Sequence, residues 1–415
     1  MKIVSDIEDL RKIAARRVPR MFYDFVDSGS WTEQTYRSNE ACFKEILLRQ
    51  RVGRSIDERS LKTTMLGIDV SMPVGIAPIG LAGMIHPDGE ILAAKAALAA
   101  GVRYTLSTLS IASLEDIQAA TNAPFWFQLY VMRDKQFLLS LIDRAKAAGC
   151  DALILTLDLS VLGNRFKDAK NGLSTPPKLT ISSVSNMLTK PRWCMGMLRT
   201  HRRNLGNIIG HAKGVGDVHS LANWIGQQLN PCLSWTDVEW IKERWGGKLI
   251  IKGILDPEDA QTAVAAGVDA IIVSNHGGRQ LDGAPASVSV LPEIVDKVGR
   301  STEVWIDSGI RSGQDVLKAI ALGARGALIG RAHLWGLGAF GEKGVRLALE
   351  LIRKELDLTM AFCGHTDINA VNRTVLVEKT VPMTGRRADS RGVVEDDRAL
   401  TGFATAIHEL EQERI

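Results

Sequence analysis

Residues 249–273 have the sequence LIIKGILDPEDAQTAVAAGVDAIIV, which contains one strand–helix–strand unit. The runs 249–253 and 269–273 are apolar on both faces, as is typical of strands buried within a parallel sheet. Between them, 256–266 has a helical pattern, and Gly267 follows at the place where a helix C-cap is expected. A helix that joins two buried strands predicts that the strands run parallel.

The same alternation extends in both directions from this unit. Six more apolar, β-rich runs lie along the chain, and helical patterns such as 88–100, 134–148 and 313–322 separate most of them. Eight strand-then-helix repeats predict a (β/α)8 TIM barrel of the α/β class. An open doubly wound sheet is the alternative, but the repeat count is eight and no GxGxxG motif opens the first unit. The six further runs are 74–78, 103–107, 125–129, 152–157, 304–307 and 326–329.

Three segments fall outside the repeat. Residues 1–65 have the pattern of a short helical segment that precedes the barrel. Roughly 90 residues separate the fourth and fifth runs where only a few are usual, so 163–247 is expected to be an insert or lid. The charged stretch TGRRADSRGVVEDD predicts a loosely held tail over 376–415 that ends in a short helix. The predicted barrel domain is therefore 1–375.

The composition is that of an ordinary globular protein, with 45% apolar and 24% charged residues. A net charge of +4 without a Lys/Arg-rich block argues against nucleic-acid binding. Five cysteines without a CxxC pair indicate a reducing compartment. The acidic start MKIVSDIEDLRK does not resemble a signal peptide, and no apolar run reaches the ~18 residues of a membrane span. Without HxxH or HExxH spacing, we expect no metal.

Polar residues cluster where the predicted strands end, which is the face of a TIM barrel that carries the chemistry. Lys252 and His276 lie there with several arginines and aspartates, so the sequence predicts a site for an anionic ligand. The loops after the seventh and eighth strands commonly hold a phosphate. Gly309 and Gly330 would let backbone N–H groups approach it, and Arg331 would pair with it bidentately.

The segment SNHGGRQLDG (274–283), together with IKGILDPEDA (251–260), DSGIR (307–311) and WFQLY (126–130), resembles the FMN-dependent α-hydroxy-acid dehydrogenases and oxidases. That family includes L-lactate dehydrogenases, glycolate oxidases and mandelate dehydrogenases, and the bacterial respiratory L-lactate dehydrogenases are the most similar. The resemblance implies bound FMN and oxidation of an L-2-hydroxy acid to the 2-oxo acid. It leaves open whether a quinone, a carrier or oxygen reoxidises the flavin, and it implies a homotetramer.

The resemblance also implies roles for the residues that match the family motifs. His276 would be the base that removes the substrate proton, and Asp158 would stabilise the imidazolium that forms. Arg279 and Arg165 would bind the substrate carboxylate, and Tyr130 would hydrogen-bond the polar groups of the substrate. Asp282 is a candidate for supporting the His276 loop.

A larger set of residues is expected to bind the cofactor. Lys252 would lie near N1 and O2 of the flavin and favour its reduced, anionic form. The isoalloxazine edge would be bonded by Ser107, Gln128 and Thr156, its N5 side lined by Pro78, Ile79 and Gly80, and the phosphate held by Asp307, Gly309, Arg311, Gly330 and Arg331, with Ser274 and Ser308 also in the cofactor site.

Phe25 departs from the family pattern, because the family usually has a tyrosine at this position whose hydroxyl contacts the substrate carboxylate. Phenylalanine cannot donate that bond, whose loss costs about 1.5–3 kcal/mol. Tyr23, two residues earlier, is expected to point elsewhere. We therefore expect Phe25 in the substrate site and a 2-hydroxy acid larger or more apolar than lactate.

The insert has two interpretations. Basic and aromatic residues between apolar ones over 179–225 suit a segment on a membrane surface, which would place the protein in the cytoplasm or on the cytoplasmic face of the inner membrane. Alternatively, the insert is a mobile lid or a subunit contact. Two further alternatives concern function: an isomerase-like flavin barrel and a non-catalytic scaffold. The base and arginines of HGGRQLD favour the dehydrogenase over both.

Overall fold

All eight predicted runs contain β-strands in the computed structural model, which describes residues 3–173, 180–212, 215, 224, 227–228 and 230–377. The predicted tail beyond 377 and its terminal helix lie outside the described residues. The strands are β1 (Thr63–Met65), β2 (Ile68–Val70), β3 (Val74–Ile76), β4 (Thr105–Ser107), β5 (Trp126–Tyr130), β6 (Ala152–Thr156), β7 (Lys248–Ile254), β8 (Ala270–Val273), β9 (Glu303–Ile306) and β10 (Gly326–Ile329).

Helices alternate with the strands from β3 onward. Most of the predicted helical patterns begin and end within one or two residues of the observed helices. The described helices are α1 (Ile7–Arg17), α2 (Arg20–Val26), α3 (Gln34–Glu45), α4 (Ala82–Ile85), α5 (Gly89–Ala100), α6 (Leu114–Thr121), α7 (Lys135–Ala147), α8 (Phe166–Lys170), α9 (Ile181–Leu188), α10 (Pro191–Arg199), α11 (Trp235–Trp245), α12 (Pro257–Ala265), α13 (Ser287–Val298), α14 (Gly313–Ala321), α15 (Arg331–Phe340) and α16 (Glu342–Phe362).

Strands β3 to β10 form one parallel sheet in the order β3–β10–β9–β8–β7–β6–β5–β4. The sheet closes through a parallel bridge between Ile76 and Tyr104, and Ile76 N donates to Arg103 O at 2.9 Å. Each strand therefore lies beside its neighbours in sequence, as expected when a right-handed βαβ crossover is repeated around a ring. The predicted TIM barrel is confirmed.

Large apolar side chains fill the inside of the barrel. Trp126 and Trp305 stack there with ring centroids 5.0 Å apart. The β1–β2 hairpin closes the N-terminal end, where fully buried Met65 lies against Gly326, the first residue of β10. A Cβ atom at Gly326 would lie 2.4 Å from Met65 Cε. Because this end is sealed, the site must lie at the C-terminal ends of the strands, as in other TIM barrels.

Short polar sequences start the barrel helices. Ser113 and Ser312 form capping boxes at α6 and α14, and Asp256 caps α12, which begins with Pro257. These residues satisfy backbone N–H groups that have no partner inside the helix. Each helix can then begin directly after its strand loop, which keeps those loops short and the site compact.

The segments outside the repeat are largely helical. Helices α1 to α3 precede the barrel as predicted, and α8 to α10 lie in the predicted insert. The end of that insert, α11, packs on α7 and β7 as a barrel helix, because Val238, Ile241 and Trp245 form a buried face. No described helix is both long and apolar enough to cross a membrane.

Candidate active site

His276 lies in a tight turn that follows β8. Three successive residues, His276, Gly277 and Gly278, have positive φ angles of 57°, 70° and 71°. A Cβ atom at Gly278 would lie 2.4 Å from the backbone nitrogen of Tyr36 in α3, and one at Gly277 would lie 2.8 Å from the Arg331 guanidinium. Both glycines are therefore needed for the turn that holds the imidazole at the C-terminal end of the barrel.

Asp158 follows β6 and lies 2.8 Å from His276, from its Oδ1 to the ring Nδ1. Gly253 in β7 allows this approach, since its φ is 108° and a Cβ atom there would lie 2.7 Å from the Asp158 Cβ. The IKG segment of the sequence thus leaves room for the carboxylate beside the strand. The structure thus brings together the two residues that the resemblance implies as the base and as the carboxylate that stabilises its imidazolium form.

Burial and charge act on this pair in opposite directions. Burial lowers the pKa of His276 below its ordinary value, although the Asp158 charge partly offsets the shift. Burial by itself would raise the pKa of Asp158, but the charges of His276 and Lys252 outweigh it and lower that pKa. At neutral pH the pair is a neutral imidazole beside a carboxylate. With the proton held on Nδ1, the Nε2 lone pair is available as a base.

Lys252 is buried in β7 beside this pair. Its ammonium donates to Ser274 Oγ at 2.7 Å and contacts Asp307 Oδ2 at 3.1 Å. Burial would lower the pKa of Lys252, but the neighbouring carboxylates raise it above the ordinary value, so the side chain stays charged. Ser308 completes the network: it donates to Asp307 Oδ1 at 2.8 Å and accepts from the Gly277 N–H at 3.0 Å.

Two arginines form the first cationic cluster of the site. The half-buried Arg279 guanidinium lies 4.6 Å from the centroid of the Phe25 ring and donates to Ser28 O at 3.3 Å. Burial, reinforced by the charge of Arg165, lowers the pKa of Arg279 well below its ordinary value. Arg165 lies 3.6 Å from Asp168. Two cations that share one carboxylate favour a further anion.

A second cationic cluster lies by β9 and β10. Arg331 donates to Ser28 O at 2.7 Å and lies 4.4 Å from the centroid of the Tyr36 ring. Burial lowers the pKa of Arg331 to about 10, so the guanidinium is still charged at neutral pH. Arg311, after β9, pairs with Glu40 of α3 at 2.9 Å. This cluster is where the sequence predicts a phosphate.

The polar side chains of β5 and β6 form fewer hydrogen bonds than they could. Ser107 Oγ donates to Gln128 Oε1 at 3.0 Å. Gln128 Nε2 and Thr156 Oγ1 are buried and have no hydrogen-bond partner among the residues that the structure describes. Because buried polar groups nearly always form hydrogen bonds, these two atoms indicate a ligand with polar groups along one edge.

Most of these groups line one cavity. The apolar part of its lining, which we call the apolar wall, includes Leu81, Leu109, Leu159 and Leu162. Gln128, Ser274 and Asp158 are not part of the lining, and Thr156 lines a small cavity beside it. Of the predicted site residues, the walls contain Phe25, Pro78, Ile79, Gly80, Ser107, Tyr130, Arg165, Lys252, His276, Arg279, Asp307, Ser308, Gly309, Arg311, Gly330 and Arg331.

Comparison with known proteins identifies the kind of site. The family model of FMN-dependent dehydrogenases matches residues 14–378. The chain belongs to the FMN-dependent dehydrogenase family. It is an FMN-dependent α-hydroxy-acid dehydrogenase, as the SNHGGRQLDG motif predicted.

Curated relatives of this FMN-dependent dehydrogenase include two bacterial enzymes. It is 44% identical to an L-lactate dehydrogenase of Caulobacter vibrioides (strain NA1000 / CB15N), covering 92% of the chain and 100% of the relative. It is 42% identical to an L-lactate dehydrogenase of Ectopseudomonas mendocina (strain ymp), covering 91% and 100%. Among solved structures, the monotopic membrane protein (S)-mandelate dehydrogenase is 35% identical, with a TM-score of 0.86 and coverage of 91% and 100%.

The residues of this enzyme fit FMN. The unpaired Gln128 amide and Thr156 hydroxyl suit the polar edge of an isoalloxazine ring, and the Arg311–Arg331 cluster suits a phosphate dianion. A Cβ atom at Gly330 would meet nothing closer than 3.6 Å, so a ligand can approach this backbone closely. Among the described residues, no group of three or more His, Cys, Asp or Glu side chains could hold a metal ion.

Two aromatic residues of α2, Phe25 and Tyr23, have different surroundings. Phe25 lines the cavity of the dehydrogenase beside Arg279. The Tyr23 hydroxyl donates to Asp27 at 2.9 Å and does not line the cavity. Tyr130 also lines the cavity, and burial raises the pKa of its hydroxyl, which therefore stays protonated as a donor.

Sequence reasoning missed several residues that position this site. The Gln280 amide donates to Asp158 O and Val161 O, each at 2.8 Å, and so fixes the loop that carries Asp158. Asn39 of α3 and Asn275 exchange amide hydrogen bonds of 2.9 and 2.7 Å and anchor the His276 turn. Both Gln280 and Asn275 lie inside the quoted motif. Their closeness to His276 in the sequence was the one feature that could have indicated a positioning role.

Asp282 and Glu90 also have positioning roles. Asp282 accepts from the backbone N–H groups of Thr32 and Thr35, both at 2.9 Å, and so ties the motif to the N-terminal segment. Glu90 of α5 is fully buried and accepts from Gly83 N and Ile111 N, both at 3.0 Å. It joins the loops after β3 and β4, a contact that no local pattern in the sequence indicates.

Proposed function

We propose that the protein oxidises an L-2-hydroxy acid with an apolar side chain larger than methyl, and that His276 is the catalytic base. The observation that carries the proposal is the His276–Asp158 pair, 2.8 Å apart, in a cavity whose other charged groups are mainly cations. A 2-hydroxy acid needs a base for its proton, cations for its carboxylate and an electron acceptor. The cavity has residues suited to the first two roles, and its other polar residues are suited to hold FMN, which would be the acceptor.

His276 would take one proton from the H–C–O–H unit of the substrate at Nε2. Asp158 keeps the other ring nitrogen protonated and stabilises the imidazolium once it forms. When bound, FMN accepts the two electrons and the remaining hydrogen of this oxidation. The products are then the 2-oxo acid, a protonated His276 and a reduced cofactor, so that electrons and protons balance.

Cations on two sides would orient the reactants. Arg279 and Arg165 are proposed to bind the substrate carboxylate, with Tyr130 as a further donor. Lys252 would stabilise negative charge at the N1–O2 side of the flavin. The residues proposed for the rest of the cofactor are Pro78, Ile79, Gly80, Ser107, Gln128, Thr156, Ser274, Asp307, Ser308, Gly309, Arg311, Gly330 and Arg331.

The apolar wall supports a substrate larger than lactate. Phe25 supplies a ring where a hydroxyl donor would favour a small, polar acid. Leu109, Leu159 and Leu162 also line a second, mostly apolar cavity of about 40 Å³ that is bordered by Met132. A longer aliphatic or aromatic side chain could occupy this space and displace water from it.

Anaerobic bleaching of the flavin by a panel of L-2-hydroxy acids tests the proposal. We expect an acid with a bulky apolar side chain to bleach the flavin at a lower concentration than L-lactate. His276→Ala should retain FMN and lose bleaching by every acid. A strong preference for L-lactate would reject the substrate class, and a yellow protein that no acid bleaches would favour the isomerase-like alternative.

We further propose that electrons leave for a membrane quinone and that helices α9 and α10 contact the membrane surface. Neither helix has a buried residue, and Ile181, Leu188 and Leu198 are 90%, 73% and 75% exposed. Exposed apolar residues beside basic ones suit a helix lying in the interface. The related (S)-mandelate dehydrogenase is a monotopic membrane protein.

Admitting either a quinone analogue or air after anaerobic reduction separates the acceptors. Rapid reoxidation by the quinone with slow reoxidation by oxygen supports the dehydrogenase, and the reverse result supports an oxidase. We also propose that the protein is a homotetramer and that it lies on the cytoplasmic face of the inner membrane. Light scattering tests the first statement, and cell fractionation with protease treatment of spheroplasts tests the second.

A further inference from the structure

A groove with a volume of about 760 Å³ lies outside the active site. It lies between the end of α1, the loop before α5, helix α10 and the α15–α16 junction. Six basic residues line it and define what we call the basic groove: Arg16, Arg17, Lys190, Arg192, Arg199 and Lys343.

The basic groove has an excess of positive charge. Among the described residues, Asp88 is the one acidic residue that lines it, and its side chain already accepts from Arg202 and Thr200 at 3.1 and 2.9 Å. Arg17 and Lys190 donate to backbone carbonyls. Four cationic side chains remain, and none of them forms an ion pair or hydrogen bond with the part of the chain that the structure describes: those of Arg16, Arg192, Arg199 and Lys343.

The groove adjoins the exposed apolar surface of α10. At 3.6 residues per turn, Arg192 and Arg199 share one azimuth of the helix, and Met195 and Leu198 lie roughly 60° and 110° away from it. Met195 and Leu198 are 50% and 75% exposed. Cations therefore border an apolar stripe on the same helix, which is the arrangement of side chains that contact both headgroups and acyl chains.

We propose that the basic groove binds the phosphate of an anionic phospholipid headgroup while α9 and α10 rest on the membrane. This proposal rests on the membrane contact proposed above. An anionic headgroup suits the groove because unpaired guanidinium and ammonium groups bind phosphate strongly. The adjacent apolar stripe favours a phosphate that is attached to acyl chains over a free one.

Vesicle binding of the FMN-loaded enzyme tests this site. Arg16→Gln combined with Lys343→Gln removes two groove cations from α1 and α16 and leaves α9 and α10 unchanged. Each cation near an anionic surface contributes about five-fold in partitioning, so we expect about a 25-fold loss of binding to phosphatidylglycerol-containing vesicles. Binding to neutral phosphatidylcholine vesicles, and activity with a soluble electron acceptor, should stay unchanged.

The matched control is Lys297→Gln combined with Arg300→Gln, two exposed cations at the end of α13. An equal loss in groove and control variants would overturn the proposal in favour of general electrostatic attraction. Competition by inorganic phosphate at matched ionic strength would overturn it in favour of a soluble phosphate ligand. If the wild-type protein binds neutral vesicles and phosphatidylglycerol does not strengthen that binding, the groove proposal is rejected and the membrane contact is kept. If the protein binds neither kind of vesicle, both proposals are rejected.

Discussion

The surroundings of the His276 ring determine what this residue can do. Nδ1 faces Asp158 across 2.8 Å, and the imidazole lines the cavity beside Arg279. The positive φ angle of His276 places the ring in this position, and Gly277 and Gly278 continue the turn. A histidine on a regular strand could not combine this burial with this orientation.

Asp158→Asn should separate the two effects of the carboxylate. We expect kcat to fall about 10²–10⁴-fold, because the imidazolium is no longer stabilised. Since the Asp158 charge raises the pKa of His276 against the effect of burial, its removal should lower that pKa further. A base works when deprotonated, so the acidic limb of the kcat/KM–pH profile should lie below the ordinary histidine value in the wild type and lower still in the variant. An unchanged limb would argue against His276 as the base.

Phe25→Tyr should change substrate preference. A hydroxyl near Arg279 can donate to the substrate carboxylate, and a hydrogen bond to a charged group contributes about 1.5–3 kcal/mol. We expect kcat/KM for L-lactate to rise by about 10–100-fold. The rise should be smaller for bulky apolar acids, because the added hydroxyl makes the cavity narrower and more polar beside their side chains. Tyr23→Phe is the control, since the Tyr23 hydroxyl donates to Asp27 outside the cavity. No shift, or an equal shift in the control, would show that residue 25 does not select the substrate.

Glu90 offers a test of positioning without contact to the reactants. Glu90→Ala would leave the N–H groups of Gly83 and Ile111 buried without an acceptor, at a cost of about 1–3 kcal/mol each. We expect a lower melting temperature and a higher KM, because Leu81 and Leu109 lie in the loops that Glu90 joins. Glu90→Gln keeps an acceptor oxygen and should restore most of the KM. If both variants raise KM equally, the charge of Glu90 and not its hydrogen bonds would matter.

At the scale of elements, periodicity predicted the barrel strands because a strand that is buried on both faces has to be a continuous apolar run. The β1–β2 hairpin was not predicted. Its strands have three residues each, and TTM and IDV mix polar with apolar side chains. Their burial comes from the barrel end that they cover, so a local window contains no signal for it. Helix α11 was assigned to the insert from the sequence. The long segment 163–230 separates this helix from β6, so the strand-then-helix repeat could not be recognised there.

Met65→Ala tests whether the hairpin stabilises the barrel. The side chain is fully buried against Gly326, so its removal leaves a cavity that the surrounding strands cannot easily fill. We expect the free energy of unfolding to fall by about 2–5 kcal/mol, measured by urea denaturation, with kcat and KM unchanged. A change in kcat at unchanged stability would mean that the hairpin affects the opposite end of the barrel, where the site lies.

At the scale of the whole molecule, the sequence predicted which residues meet but not what holds them together. The strand-end positions and the SNHGGRQLDG motif were sufficient to predict that His276, Asp158, Lys252 and the arginines lie at one end of the barrel. The contacts of Asn39 with Asn275 and of Glu90 with two loops join distant segments through side chains. Such pairings depend on how the folded chain packs, and no periodic pattern in a single sequence indicates them.

The concentration of positive charge in the cavity makes a last prediction about ligand removal. Besides burial, the charges of Arg165 and Arg331 both lower the pKa of Arg279, which means that these cations repel one another. A phosphate dianion relieves that repulsion, so FMN should raise the melting temperature of the deflavinated protein far more than riboflavin, which has the same ring without the phosphate. A ligand at about 100 times its Kd stabilises the folded state by about 2.7 kcal/mol, and weaker binding stabilises it less. Thermal melts with FMN, with riboflavin, and with riboflavin plus inorganic phosphate would measure the difference. Equal shifts for FMN and riboflavin would mean that the Arg311–Arg331 cluster does not hold the phosphate.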